Sequence, residues 1–496
     1  MKRGLLIVSG LIVAIAVIIL LAGPYVAGGV AERTTRAGIS QAQKQMKDMG
    51  VPGTLSLVEF HHGWMHSTAI VRAAFVLPDK SKTQFCIEGS VLIDHGPLVL
   101  LRDHWAEVTT QLNASGRGGA CDLLKELKAS PQFVAQFLDQ FGNGGPIVAK
   151  SAVALDGIED ADVTVKPFKF SDEKGAIDFK ALSAHSTLDK SRTHMKFNME
   201  WGGFETHFAN ASGSSDLGIG KMTYQGEQTL AEGNYWLGPA NMLVNDIDFQ
   251  GTSAQGRDIH WHTNKLTLDS NGTEAADGAR GTADVKLLQN SLNDSDMGDL
   301  SIVSSVSGLD LMEVATLRNR MNTMRYRLQA GGKSMTEAEL RETFTNVQRA
   351  IEKADVKLKT IRYQLGDSTA TVQADISFPG LANATFDDFK SGKSGIAKLV
   401  AIDASGKIED SLVPEVAHAT ALAMIAGRKV SPQQLQNAIA ILTQRMEGTL
   451  QMYSQQGLLI REPSSGDYTF TASLADGQVS VNGRPWTPGP SAPATK

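Results

Sequence analysis

Apolar residues recur at every second position over much of this chain, and that period ties most of it to β-sheet. Met195, Phe197, Met199 and Trp201 alternate with Lys196, Asn198 and Glu200. Val372, Ala374, Ile376 and Phe378 alternate with Thr371, Gln373, Asp375 and Ser377, and Ile259 and Trp261 with His260 and His262. Successive side chains of a strand point to opposite faces, so such runs build sheets with one apolar and one wet face. Turns rich in Gly, Asn, Asp and Ser separate the runs. Gly accounts for 48 of 496 residues, which suits the many tight connections of an antiparallel meander. Strands are expected from Leu55 through the Phe60–Trp64 turn, over Ala69–Leu77 and Phe85–Ile93, and throughout Val148–Gly308.

Elsewhere the period lengthens. Val314, Leu317, Met321, Met324 and Leu328 are spaced three and four apart, as are Leu340, Phe344, Val347 and Ile351. Gly331-Gly332 lies between them, and Thr336 with Glu339 makes a capping box. This predicts a helical hairpin laying one stripe on the sheet, with a coiled-coil seam as the alternative. A second helix pair ends in a helix opened by Ser431-Pro432 with Gln434, whose stripe is Leu435, Ile439, Leu442 and Met446. Helical pieces are also expected over Arg102–Phe141, broken by a loop at Gly116–Gly119. A hairpin closes the chain: Tyr468, Phe470, Ala472 and Leu474 share a face, Asp476-Gly477 turns, and Val479 and Val481 return.

The start of the chain is different. Leu5–Ala22 is continuously apolar behind Lys2 and Arg3, about the length that crosses ~30 Å of hydrocarbon as a helix. An uncleaved anchor is the reading adopted, with a cleaved signal ending near Gly29-Val30-Ala31 as the alternative. The expected class is therefore α+β: an N-terminal transmembrane helix, then a large β-rich, mainly antiparallel sheet region with packed helical hairpins. The expected divisions are an anchor at 1–30, a polar stalk at 31–52 and an N-terminal α+β part at 53–147. An antiparallel β region at 148–308, an α+β part at 309–483 and a disordered tail at 484–496 complete them. Two basic residues before the span orient the bulk of the chain outward, into the periplasm of a bacterium. There Cys86 and Cys121 are candidates for one disulfide, although two separate buried thiols also fit two cysteines. A net charge of −6 argues against a nucleic-acid partner.

Two short motifs stand out: Phe60, His61, Gly63 and Ser67, and then Asp94, His95, Gly96 and Pro97. Together with the leading apolar segment and the closing Asp467–Gly483 strand, turn and Asn482-Gly483, they resemble the YdgA/YihF-type family of bacterial envelope proteins, a family of unknown function. Here Phe60-His61-His62-Gly63 replaces that family's usual Tyr-His-Arg-Gly. The cysteine pair is not one of its expected features. The resemblance implies inner-membrane anchoring, a large periplasmic region and a β-rich fold. It implies no reaction and no catalytic residues.

The same segments carry the residues suited to chemistry. His61, His62 and His66 form the densest histidine cluster, yet a zinc site needs three or four ligands with supporting partners, and only Glu59 is adjacent. Asp94 beside His95 invites an acid–base reading, but neighbours on a strand point apart. Lys390-Ser391-Gly392-Lys393-Ser394 looks like the end of a phosphate loop whose first glycine is replaced by Asp387. No nucleophile elbow or His-Glu-x-x-His helix occurs. The sequence thus points to a non-enzymatic envelope protein without a cofactor, binding an apolar ligand such as lipid or scaffolding envelope proteins. A homo-oligomer is compatible with it. The alternative is a metal-dependent hydrolase using the histidine cluster.

Overall fold

The computed structural model describes residues 31–48, 53–63, 65–76, 84–95, 99, 106–113, 121, 131–142, 144–154, 157–173, 175–210, 213–253, 258–329, 335–390, 397–425 and 430–486. The chain forms two compact units, one of residues 1–230 with 316–336 and one of 231–315 with 337–496.

The first unit begins with helix α1 (Ala31–Asp48), followed by β1 (Gly53–His61), β2 (His66–Val76), β3 (Gln84–His95) and β4 (Ala106–Asn113). Helix α2 (Pro131–Phe141) precedes β5 (Gly144–Ala154), β6 (Gly157–Val165), β7 (Phe168–Asp172), β8 (Gly175–Phe179) and β9 (Leu182–Leu188). Then come β10 (His194–Trp201), β11 (Phe204–Asn210), β12 (Gly213–Ile219) and β13 (Met222–Ala231). All pairings are antiparallel, in the order β1-β2-β3-β4-β5-β6-β9-β10-β13. The skipped strands pair as a ribbon β7-β8-β11-β12. Strand β10 shows the alternation read from its sequence: Met195, Phe197, Met199 and Trp201 are half-buried, and the residues between them exposed.

The core of this unit is sealed. Ile39, Ala42 and Met46 on one face of α1 pack with Leu55, Val71, Ile93, Val108, Ile147 and Val153 from the inner faces of five strands, all buried. An ion pair and a disulfide involve the same sheet. Arg72 and Glu88 face each other in register, with Arg72 Nε donating to Glu88 Oε1 at 2.9 Å, and the Glu88 side chain fully buried. Cys86 and Cys121 are disulfide-bonded, their Cα atoms 5.2 Å apart.

The second unit contains β14 (Tyr235–Leu237), β15 (Ala240–Ser253), β16 (Asp258–Ala275), β17 (Gly278–Leu292) and β18 (Ser295–Leu309). Helix α3 (Leu311–Gln329) starts in this unit and runs into residues of the first, and α4 (Glu337–Ile351) precedes β19 (Asp355–Leu365) and β20 (Ser368–Ser377). A short α5 (Phe386–Lys390) precedes β21 (Ala401–Ile408). Helices α6 (Leu412–Ile425) and α7 (Pro432–Gln455) lead to β22 (Ile460–Arg461), β23 (Tyr468–Ala475), β24 (Gln478–Val481) and β25 (Arg484–Trp486). The sheet runs β15-β16-β17-β18-β19-β20-β21-β23-β24-β25, antiparallel throughout. The helices are insertions between strands that remain sheet neighbours. Asp476 and Gly477 both take positive φ in the turn that returns Val479 opposite Leu474.

The expected fold class is corrected on two points. The protein is mostly antiparallel sheet, with helix a minority of it. Among the described residues no helix is long and apolar enough to cross a membrane, so the fold has no transmembrane helix there; Leu5–Ala22, where one was expected, lies outside the described residues. The balance shifts to sheet partly because Arg102–Phe141 is not simply helical. Ala106, Val108, Thr110 and Leu112 are buried at every second position, and that period makes a strand, β4, between β3 and β5. Among the described residues of that stretch the helix is α2. The expected Gly116–Gly119 loop and the tail beyond Trp486 lie outside the described residues.

Candidate functional site

The two short motifs meet across β2 and β3. Ser67 lies one residue into β2 and His95 at the end of β3, and Ser67 Oγ stands 3.0 Å from His95 Nε2. Both side chains are buried, and the His95 amide donates to the Met65 carbonyl at 2.8 Å. The neighbour Asp94 points the other way and is opposite His66 in register. Ser and His thus hydrogen-bond inside the sheet, where they tie the start of β2 to the end of β3. Among the described residues no carboxylate is bonded to the other ring nitrogen of His95. Gly96 and Pro97 lie outside the described residues.

The first motif spreads out instead of converging. His61 Nε2 is 2.5 Å from Glu59 Oε1, and His62 Nε2 is 3.1 Å from Glu32 Oε2 on α1, both at the surface. Phe60 packs its ring 4.8 Å from that of His62. Gly63 is required by a close approach: a Cβ there would stand 2.0 Å from the His66 carbonyl oxygen. Among the described residues no group of three or more His, Cys, Asp or Glu side chains is placed to hold a metal ion. The phosphate-loop-like residues 391–394 lie outside the described residues.

Histidine–carboxylate pairs recur on the wet faces of the strands. His185 and Asp162 are cross-strand partners with Nδ1 2.8 Å from Oδ1, and His207 pairs likewise with Asp216. The densest group is in the second unit. His260 Nε2 lies 2.6 Å from Asp248 Oδ2 and its Nδ1 3.4 Å from Asp294, while His262 Nδ1 is 3.3 Å from Asp246 and 3.6 Å from Asp248. The hydrogen bond to Asp248 raises the His260 pKa above its usual value, helped by the charge of Asp294. Asn293 connects this group to a helix. Its amide N–H donates to the His260 carbonyl at 2.6 Å, and its side chain donates to the Ala423 carbonyl near the end of α6 at 2.7 Å.

A markedly apolar hollow lies between α6 and α7. Its sequence, Leu-Val-Pro-Glu-Val-Ala-His-Ala-Thr-Ala-Leu-Ala-Met-Ile, makes α6 apolar nearly all round, and it packs on β18, β19 and β20 with Leu412, Val413, Ala417, Ala419, Ala421 and Ala423 buried. Helix α7 then lies on α6. It is opened by the expected capping box: Gln434 N donates to Ser431 Oγ and Ser431 N to Gln434 Oε1, with Pro432 in the first turn. Its stripe of Leu435, Ile439, Leu442 and Met446 faces inward, yet none of these side chains is buried. A cavity of about 450 Å³ remains, walled by Leu412, Val413 and Val416 of α6, floored by Ile408, and roofed by Leu442, Met446 and Leu450. Arg445 and Thr449 bring the polar atoms of α7 to its edge. The sequence stripe marked Leu442 and Met446; Val416, Arg445 and Leu450 were missed, although 442, 446 and 450 continue one spacing of four.

The fold and this hollow define a two-unit, mainly antiparallel β-protein with helices inserted between neighbouring strands and one disulfide. A family model for a bacterial protein of unknown function, DUF945, matches residues 1–488, and the chain belongs to that family. The match establishes the family and not the narrower YdgA/YihF type. No curated protein and no solved structure matches the chain.

Proposed function

We propose that this protein binds an apolar ligand outside the cytoplasm and carries out no reaction on it. The α6–α7 hollow is the observation that carries the reading. It is apolar on three sides, open to solvent, and in the range of about 300–1,000 Å³ usual for small-molecule sites. The Cys86–Cys121 bridge supports an oxidising compartment, the periplasm of a bacterial cell. The burial of Ser67 and His95 favours a structural use of that pair over a hydrolytic one. A second reading, a scaffold for envelope assembly, is favoured by Ile441, Met452 and Tyr453, which α7 leaves exposed.

Titration of the full chain with an uncharged, environment-sensitive acyl probe tests the first reading. Saturable one-to-one binding is expected, with loss of binding in Met446→Trp, whose larger ring fills the hollow while the far-ultraviolet circular dichroism stays unchanged. Binding that does not saturate, or that Met446→Trp leaves intact, overturns it.

A further inference from the structure

The hollow between α6 and α7 is not electrically neutral. Of the nine side chains that line it, Arg445 alone carries a charge, and it is exposed. Of the other described arginines in this unit, Arg280 pairs with Asp277, Arg341 with Glu337 and Asp387, Arg349 with Glu313 and Arg461 with Asp410, while Arg362 and Arg484, like Arg445, have no ion pair among the described residues but do not line this hollow. Among the described residues Arg445 has no ion pair and its guanidinium no hydrogen bond; Thr449 Oγ1 donates to its main-chain carbonyl at 2.9 Å. The acidic side chain of α6 does not answer it. Glu415 is turned to the Gly366 turn, its Oε2 3.1 Å from where a Cβ on Gly366 would stand. Nor does Glu447 line the hollow.

Position along the helix sets the size of what fits. Leu442, Met446 and Leu450 span eight residues of α7, about 12 Å at 1.5 Å per residue. An apolar trough of that length with one unanswered cation at its edge matches an extended hydrocarbon chain ending in an anion. Arginine suits that end, since its planar fork of N–H donors pairs with a carboxylate or phosphate through two parallel bonds. The volume is that of a small-molecule site and not of a protein interface.

Resting on the binding reading above, we infer that the ligand is a single-chain anionic amphiphile, its acyl chain between α6 and α7 and its carboxylate or phosphate headgroup on Arg445. Headgroup and chain contribute separately, and separate measurements resolve them. The full chain is loaded with the uncharged acyl probe and displaced by four competitors of equal chain length: a fatty acid, a lysophosphatidic acid, an uncharged monoacylglycerol and an alkyltrimethylammonium.

The anionic competitors are expected to displace the probe at roughly ten-fold lower concentration than the uncharged one, the size of one charge-assisted hydrogen bond at a partly exposed site. Arg445→Gln removes that advantage and leaves the uncharged competitor unchanged, Arg445→Lys keeps part of it, and raising salt narrows it. Comparing the fatty acid with the lysophosphatidic acid tells carboxylate from phosphate. Equal displacement by anionic and uncharged competitors, or an Arg445→Gln variant that keeps the difference, overturns the charge assignment while the binding reading stands. Failure of every competitor to displace the probe, with Met446→Trp also without effect on it, overturns both.

Discussion

The sheet of the first unit and the α6–α7 layer of the second start from the same kind of amphipathic pattern and end in opposite states. In the first unit α1 closes over β1–β5, and Met46, Ile93, Val108 and Ile147 are almost wholly removed from water. In the second, α6 is buried but α7 covers it incompletely, so that Leu442 and Met446 stay half-buried and a hollow persists. Alanine explains part of the difference. Four of the buried α6 positions are Ala417, Ala419, Ala421 and Ala423, which let the helix lie close on the strands but offer little to fill the space on its far side. A sealed layer maximises stability, whereas an incomplete one leaves surface for something else to cover.

Mutations can break that contrast, beginning with the largest effect. Arg72→Ala takes the guanidinium away from the fully buried Glu88 carboxylate; removing one partner of a fully buried ion pair costs about 3–5 kcal/mol, an upper bound here because Arg72 itself is partly exposed. Urea unfolding of the full chain should show the loss. The double change Arg72→Met with Glu88→Leu should recover most of it, and a single variant as stable as the wild type would show that the pair is not part of the sealed layer. Next, Ile93→Ala should cost roughly 2–5 kcal/mol, as for a close-packed core site. Leu442→Ala, at a half-buried position beside an existing cavity, should cost no more than about 1 kcal/mol. Similar losses at the two sites would erase the distinction between the regions.

The smallest effect concerns pH. Because Asp248 raises the His260 pKa above 6.5, the charged pair contributes stability that is fully present below that value. It is lost as pH rises through the higher folded-state pKa. The stability difference between wild type and His260→Gln should therefore shrink on going from about pH 6 to pH 8. The imidazole is about one-third exposed, so the change is small. Following the His260 ring protons by NMR checks the direction directly, and a midpoint at or below the ordinary histidine value removes the effect.

Where the pattern was dense, it was legible. The alternation of β10 reappears as half-buried and exposed positions, the Asp476-Gly477 turn has both residues at positive φ, and Ser431 with Gln434 closes its capping box. Each depends on residues close in sequence, where dihedral preference and side-chain reach suffice. Strand β4 escaped because its inward positions include Ala106 and Thr110, weak hydrophobic markers inside a stretch with apolar residues at helical spacing as well. Ser67 and His95 carried no joint signal, being 28 residues apart and brought within 3.0 Å only by the β2–β3 register.

The sequence by itself determined which faces are apolar, where the chain turns and where its helices begin, because those follow from local stereochemistry and from the two periods of side-chain direction. Only the tertiary structure decided which apolar faces are covered. It buried the Ser67–His95 pair, left His61 and His62 on separate carboxylates, and held α7 so that Leu442, Met446 and Leu450 line a hollow beside Arg445. Amphipathic spacing states that a face must meet something apolar. Whether that is another part of the chain depends on how distant segments pack.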